Sequence, residues 1–164
     1  MHNKFLYIWS PTTKFMKDVT IDYVLRATWQ AVARMYNEEA KEFDSTMAVG
    51  FTLLSIDPKT GTPSTALGPK MGMEATSLSR ILKSMEEKGL IVRKPNPKDG
   101  RGVLIHLTEF GLEKRNYSKD VVLRFDDAVK ENVSEEKLKH FFEVMNTING
   151  LIAEKRIYTK ETTN

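Results

Sequence analysis

Apolar positions along this chain change their period twice, and the changes outline the fold. Neither proline nor glycine occurs between residues 12 and 49, and Ile21, Val24, Leu25, Val32, Met35, Tyr36 and Phe43 recur at close to helical spacing. That pattern predicts a helix from about Val19 to Phe43 with one apolar face. Asp44 or Ser45 is placed to cap a second helix carrying Val49, Leu53, Leu54 and Ile56, and "DPKTGTP" at 57–63 reads as a turn. A short helical segment, Ser64 to Met71, follows and stops at Gly72. From about Glu74 to Lys88 the helical period returns, with Leu78, Ile81, Leu82 and Met85 at i, i+3, i+4 and i+7. The opposite face of that helix carries Thr76, Arg80, Lys83 and Glu87. Gly89 fits a left-handed helix end, with Leu90 folding back onto Met85. Beyond it the period shortens to two. Ile91 to Lys94 reads as one strand, and Val103, Ile105 and Leu107 as the buried face of another. Thr108 can cap a helix running to about Asn132. Ser134 can cap a last helix with Leu138, Phe141, Phe142, Met145, Ile148 and Ile152 in its stripe.

A short helix, a glycine turn, a second helix with a polar outer face and then a strand hairpin make a winged helix-turn-helix. The fold class expected is therefore mainly α (α+β): a winged helix-turn-helix lobe with a small β-hairpin wing, flanked by long N- and C-terminal helices. In chain order this gives an N-terminal arm and dimerisation helix over 1–44, a DNA-binding lobe over 45–107, and C-terminal dimerisation helices over 108–164. The outer helices exceed 20 residues, which is roughly 30 Å of helix. They extend past a compact centre, and a two-fold second copy of the chain is the economical cover for their apolar faces.

Charge sharpens this picture. Over the 164 residues the formal net charge is only +3, yet residues 70–102 hold eight Lys or Arg against four acids. The positive charge is concentrated where the helix and hairpin would meet the phosphates of double-stranded DNA. The chain contains no cysteine, which excludes disulfides, thiolate metal sites and thiol-based redox sensing. His2, His106 and His140 lack metal-ligand spacing, and no catalytic constellation stands out, so neither enzyme nor cofactor nor metal is expected. His106 is expected to be exposed and inert. The apolar run "FLYIW" at 5–9 is too short for a signal peptide or a membrane span and reads as a packing arm. The expectation is a cytoplasmic protein with no membrane contact.

The stretch "EATSLSRILKSMEEKGLIVRKPNPKDGRGVLIHLTEFG" resembles the MarR family of bacterial winged-helix transcription regulators. The helix ending in Glu-Glu-Lys-Gly-Leu, the strand with Arg93, the Asp-x-Arg of Asp99 to Arg101 and "LTEFG" at 107–111 match in order and spacing. The resemblance spans about 64–111; the outer helices agree in length and placement. It implies a homodimer with interlocked terminal helices, a recognition helix in the major groove and a wing at the minor groove of a pseudo-palindromic operator. Repression is what is common in the family. Two positions depart from the pattern. Gly100 stands where the family wing usually carries an arginine, and Pro69 falls inside the first helix of the motif, which is expected to be short, kinked or late to begin.

Site residues follow from these faces. Arg80 and Thr76 suit base contacts, a guanine fork and a thymine methyl, while Ser77, Ser79 and Lys83 suit phosphate or edge contacts. In the wing, Arg101 suits a narrow minor groove, Asp99 holds the loop, and Arg93, Lys94 and Lys98 are either phosphate contacts or solubility charges. Trp29, Tyr36, Phe51 and Tyr117 are either core aromatics or the lining of a pocket for a small-molecule effector. A winged-helix adaptor that binds protein rather than DNA is the alternative, supported only by Gly100 and Pro69.

Overall fold

A computed structural model describes residues 19–97 and 99–158, with the side chains of 99–101 left aside. The arm at 5–9, Lys98 and the side chains of Asp99 and Arg101 therefore lie outside the described residues. The chain divides into two compact units, one up to Arg115 and one from Asn116.

In the first unit, α1 spans Ile21–Lys41 and is capped by Thr20, whose hydroxyl accepts from the Tyr23 N–H at 3.2 Å. Helix α2 is Met47–Ser55, and its cap is Thr46, accepting from Val49 N–H at 3.3 Å. This corrects the expected cap at Asp44 or Ser45. Both residues are used to close α1: Ser45 N–H bonds Ala40 O and Asp44 N–H bonds Lys41 O, each at 3.1 Å. Asp44 sits left-handed at φ 48°, a conformation that Asp tolerates better than most residues. Asn37 joins the two helices, its Oδ1 accepting from the Met47 N–H at 3.0 Å and its Nδ2 donating to Ala33 O at 2.8 Å.

A strand of two residues that the alternation pattern does not reveal, β1 (Thr62–Pro63), follows. It is set by the preceding turn. Asp57 Oδ1 accepts from the N–H groups of Lys59 and Thr60, both at 2.8 Å, and Asp57 N–H donates to Thr62 Oγ1 at 2.9 Å. Helix α3 is Ser64–Met71, eight residues containing Pro69 and closed by Gly72 at φ 61°. Helix α4 is Ala75–Glu87. Its end is the expected left-handed closure: Gly89 at φ 69°, with Leu90 N–H to Met85 O at 2.9 Å and Gly89 N–H to Glu86 O at 3.0 Å.

Strands β2 (Ile91–Asn96) and β3 (Asp99–Leu107) complete an antiparallel sheet in the order β1-β3-β2. The core sits between this sheet and three helices. Leu53 and Ile56 of α2, Leu67 of α3, Leu78, Leu82 and Met85 of α4, then Leu90, Ile91 and Ile105, are all buried together, with Val103 and Leu107 packed against them. One consequence is that α4 is held by its apolar stripe and turns the rest of its surface outward.

Helix α5 (Glu109–Asn132) begins in the first unit and continues into the second, which also holds α6 (Glu135–Ala153) with its Ser134 cap. Within the second unit the apolar stripe of α6 is largely uncovered. None of its residues is buried, and Phe141, Phe142, Val144 and Ile152 are each more than half exposed. On α1, Ile21, Val24 and Trp29 are similarly exposed.

Candidate nucleic-acid interface

The outward face of α4 carries Thr76, Ser77, Ser79, Arg80 and Lys83, all exposed, above the buried Leu78, Leu82 and Met85. The separation is the 100° rotation per residue of a helix, made permanent by core burial on one side. Arg80 has no ion-pair partner among the described residues, so its guanidinium is presented whole. Lys83 lies 3.9 Å from Glu87, one turn on, with both side chains largely in solvent. Such a pair is weak and easily exchanged for a phosphate.

Two further cations do structural service. Arg93 Nε donates to Glu86 Oε2 at 2.9 Å, which ties the root of β2 to the last turn of α4. Lys88 Nζ reaches across to Asp44, 2.6 Å to its carbonyl oxygen and 2.9 Å to its carboxylate, and so fixes the end of α4 to the α1–α2 junction. Neither pairing stands out in the sequence. Glu86 precedes Arg93 by seven residues across a turn, a spacing no periodicity argument singles out, and Asp44 is 44 residues from Lys88.

The wing differs from the long loop that "KPNPKDGRG" suggests. Pairing runs Ile91↔Leu107, Arg93↔Ile105, Lys94↔Leu104 and Pro95↔Val103, then jumps to Asn96↔Asp99. The extra length is therefore a bulge on β3 that takes up Gly100, Arg101 and Gly102, and the hairpin is paired nearly to its tip. A bulge increases local twist and re-aims the strand, which suits a probe better than a slack loop would. Lys94 is exposed on β2. His106, expected to be exposed, is half-buried instead. Its ring covers Gly61, where an added Cβ would lie 2.7 Å from the imidazole.

Of the four aromatics suggested for an effector pocket, three meet. Phe51 stacks on Trp29 with centroids 6.5 Å apart and meets the buried Tyr36 edge-on at 5.7 Å. Tyr117 belongs to α5 in the second unit, where it is half-buried. Among the described residues no cluster of His, Asp and Glu suits a metal ion, and no helix is long and apolar enough to cross a membrane.

A recognition-type helix on a buried stripe beside a bulged hairpin defines a winged helix-turn-helix protein. Residues 46–103 match the model of the MarR family. The uncharacterised HTH-type transcriptional regulator YdgJ of Bacillus subtilis is 33% identical over 91 residues, 53% of this chain and 56% of that protein. This chain thus spans little more than half of YdgJ. The HTH-type transcriptional regulator SarZ of Staphylococcus saprophyticus is 28% identical over 134 residues, 76% of this chain and 92% of SarZ. Among solved structures, the S. aureus MepR–DNA complex superposes with a TM-score of 0.74 at 20% identity, covering 81% of this chain and 98% of MepR. The transcriptional regulator SlyA gives 0.74 at 18% identity, covering 87% and 100%. Residues 46–103 of this chain are thus similar to the MarR family, and the curated relatives named above are transcriptional regulators.

Proposed function

We propose that the chain is a sequence-specific double-stranded DNA-binding transcriptional regulator. It works as a cytoplasmic homodimer on a pseudo-palindromic operator, as a repressor released by a small molecule. The observation that carries this reading is the exposed Thr76, Arg80 and Lys83 face of α4, rigidly backed by Leu78, Leu82 and Met85. A helix presented this way enters a major groove, with its N-terminal half at base edges. The likeness to SarZ and to a MepR structure solved with DNA supports it. The uncovered stripes of α1 and α6 support a second copy as partner, and two recognition helices about one DNA turn apart would read two half-sites. In the wing, Arg101 enters the minor groove while Lys94 and Lys98 meet phosphates. The aromatic group of Trp29, Tyr36 and Phe51 is where the effector docks. A ligand that binds one spacing of the two helices better than the other shifts the population away from the DNA-binding form.

The test is a salt-dependent binding titration of the full chain on duplexes from its own upstream region. Saturable, sequence-selective binding whose log affinity falls steeply with log salt is expected. A folded dimer that binds no fragment would overturn the reading in favour of a protein–protein adaptor.

A further inference from the structure

Four contacts converge on one peptide segment, Gly89–Leu90, which is the closure of α4. Thr108 Oγ1 donates to Gly89 O at 2.6 Å and lies 3.3 Å from Leu90 O. Thr108 N–H donates to Leu90 O at 3.1 Å. The same Oγ1 accepts from the Gly111 N–H at 2.9 Å, capping the first turn of α5. Finally, Gly111 itself lies so close that an added Cβ would stand 1.9 Å from Leu90 O and 2.9 Å from its carbonyl carbon. The obstacle is backbone, not the end of a flexible side chain, so it cannot swing aside. Gly111 is buried although it sits in the first turn of a helix whose neighbours Phe110 and Leu112 are exposed.

A helix cap requires only the Thr108–Gly111 bond. The two donated bonds, the 3.3 Å approach of the hydroxyl to Leu90 O and the close packing of Gly111 onto Gly89–Leu90 exceed that need. Their geometric effect is to weld the end of α4 to the start of α5. Two other ties, Lys88 to Asp44 and Arg93 to Glu86, act on α4 from other sides but through exposed, flexible side chains. The Thr108 and Gly111 contacts run through backbone and a short β-branched side chain, which leave far less play.

We propose that Thr108 and Gly111 are positioning residues for DNA recognition, setting the pitch of α4 against the first turns of α5 so that Thr76 and Arg80 meet base edges together. The proposal rests on the DNA-binding reading above. Loss of the joint leaves phosphate attraction in place, because long cations tolerate misalignment, and removes discrimination, because bidentate base contacts do not.

The test uses the full chain and three variants: Thr108→Val, which keeps the shape and removes the hydroxyl, Thr108→Ser, which restores it, and Gly111→Ala. Backbone residual dipolar couplings give the direction of α4 relative to residues 109–115. Binding titrations compare a selected duplex with a scrambled one. Thr108→Val and Gly111→Ala are expected to reorient α4 and to lower the specific-to-nonspecific affinity ratio about tenfold, the scale of one lost base contact. Thr108→Ser is expected to hold both near wild type. A mere loss of stability would leave that ratio unchanged in the folded protein. Folded variants with wild-type orientation and ratio would overturn the proposal. Should Gly111→Ala fail to fold, the Val and Ser pair decides alone. Should the wild-type chain itself bind no DNA, the functional reading falls, and the dipolar couplings still decide whether the joint orients α4.

Discussion

Arg80→Ala separates base reading from plain charge. The guanidinium is exposed on α4 and unpaired among the described residues, so its removal breaks no internal contact. Folding stability should change by no more than about 0.5 kcal/mol. A bidentate contact to guanine O6 and N7 is worth about 1–3 kcal/mol of discrimination, or roughly 5- to 150-fold at each half-site. The loss should be confined to duplexes carrying the preferred base. Fluorescence anisotropy titrations of the operator and of each single-base variant, at two salt concentrations, give both quantities. Arg80→Lys keeps the charge but loses the fork, so it should reproduce most of the lost discrimination with little change in salt slope. An equal loss on every duplex, with the slope reduced by about one per contact, would refute base reading and make Arg80 a phosphate anchor. No loss on any duplex would leave the α4 face merely solvated.

Gly89→Ala places a Cβ at φ 69° in otherwise open space, so it should cost about 1 kcal/mol, or about 2–4 °C in Tm at fixed chain concentration, with DNA preference retained. A melting scan showing no shift would deny the closure its role. Gly150→Ala is the opposite case: a glycine inside α6 with nothing within 4 Å, where alanine should stabilise by about 0.5–1 kcal/mol unless a partner's helix crosses there. Asp57 is held below the ordinary carboxylate value of 3.8 by the Thr60 and then the Lys59 backbone N–H groups. Its lowered folded pKa contributes stability that is fully present above the unfolded value and lost as pH falls through the folded one. Asp57→Asn should therefore differ from wild type by a constant amount at neutral pH, and denaturant midpoints should converge under strong acid; parallel curves at all pH values would contradict this. Glu86→Gln releases Arg93 and removes an acid near the wing. Tighter DNA binding with a steeper salt slope is expected if Arg93 then reaches phosphate, and an unchanged slope would keep it a purely internal tie.

The sequence pattern locates α1, α4, α5 and α6 within a few residues because each has a long apolar stripe and a hydroxyl or glycine at one end. The α4 closure was fully legible, since a Gly-Leu pair after a stripe ending in Met85 leaves few alternatives. Short elements were not. β1 has two residues, one of them proline, and exists because Asp57 folds the turn and β3 offers a free edge. The α2 cap moved to Thr46 because the closure of α1 uses the backbone of Asp44 and Ser45, a competition that only three-dimensional bookkeeping of N–H groups reveals. Proline and glycine between residues 95 and 102 suggest an irregular loop, whereas the strand pairing continues to Asn96 and Asp99 and turns that length into a bulge.

The same limit applies to the charge count, and it alters how the surface should work. Eight cations lie between residues 70 and 102, but Lys88 and Arg93 are held by Asp44 and Glu86, and Lys83 faces Glu87. These pairs cluster around α4 and join it to the α1–α2 junction and the root of the wing. Segregated charge thus has two uses here that a linear count cannot separate. Some cations orient the helix, and on the DNA-binding reading others are left to meet phosphate or base edges. Lys70, Arg80 and Lys94 are exposed and unpaired among the described residues, so they belong to the second group. On this division, neutralising a member of the first group should loosen α4 and blunt discrimination. Neutralising Lys70 or Lys94 should weaken all duplexes alike.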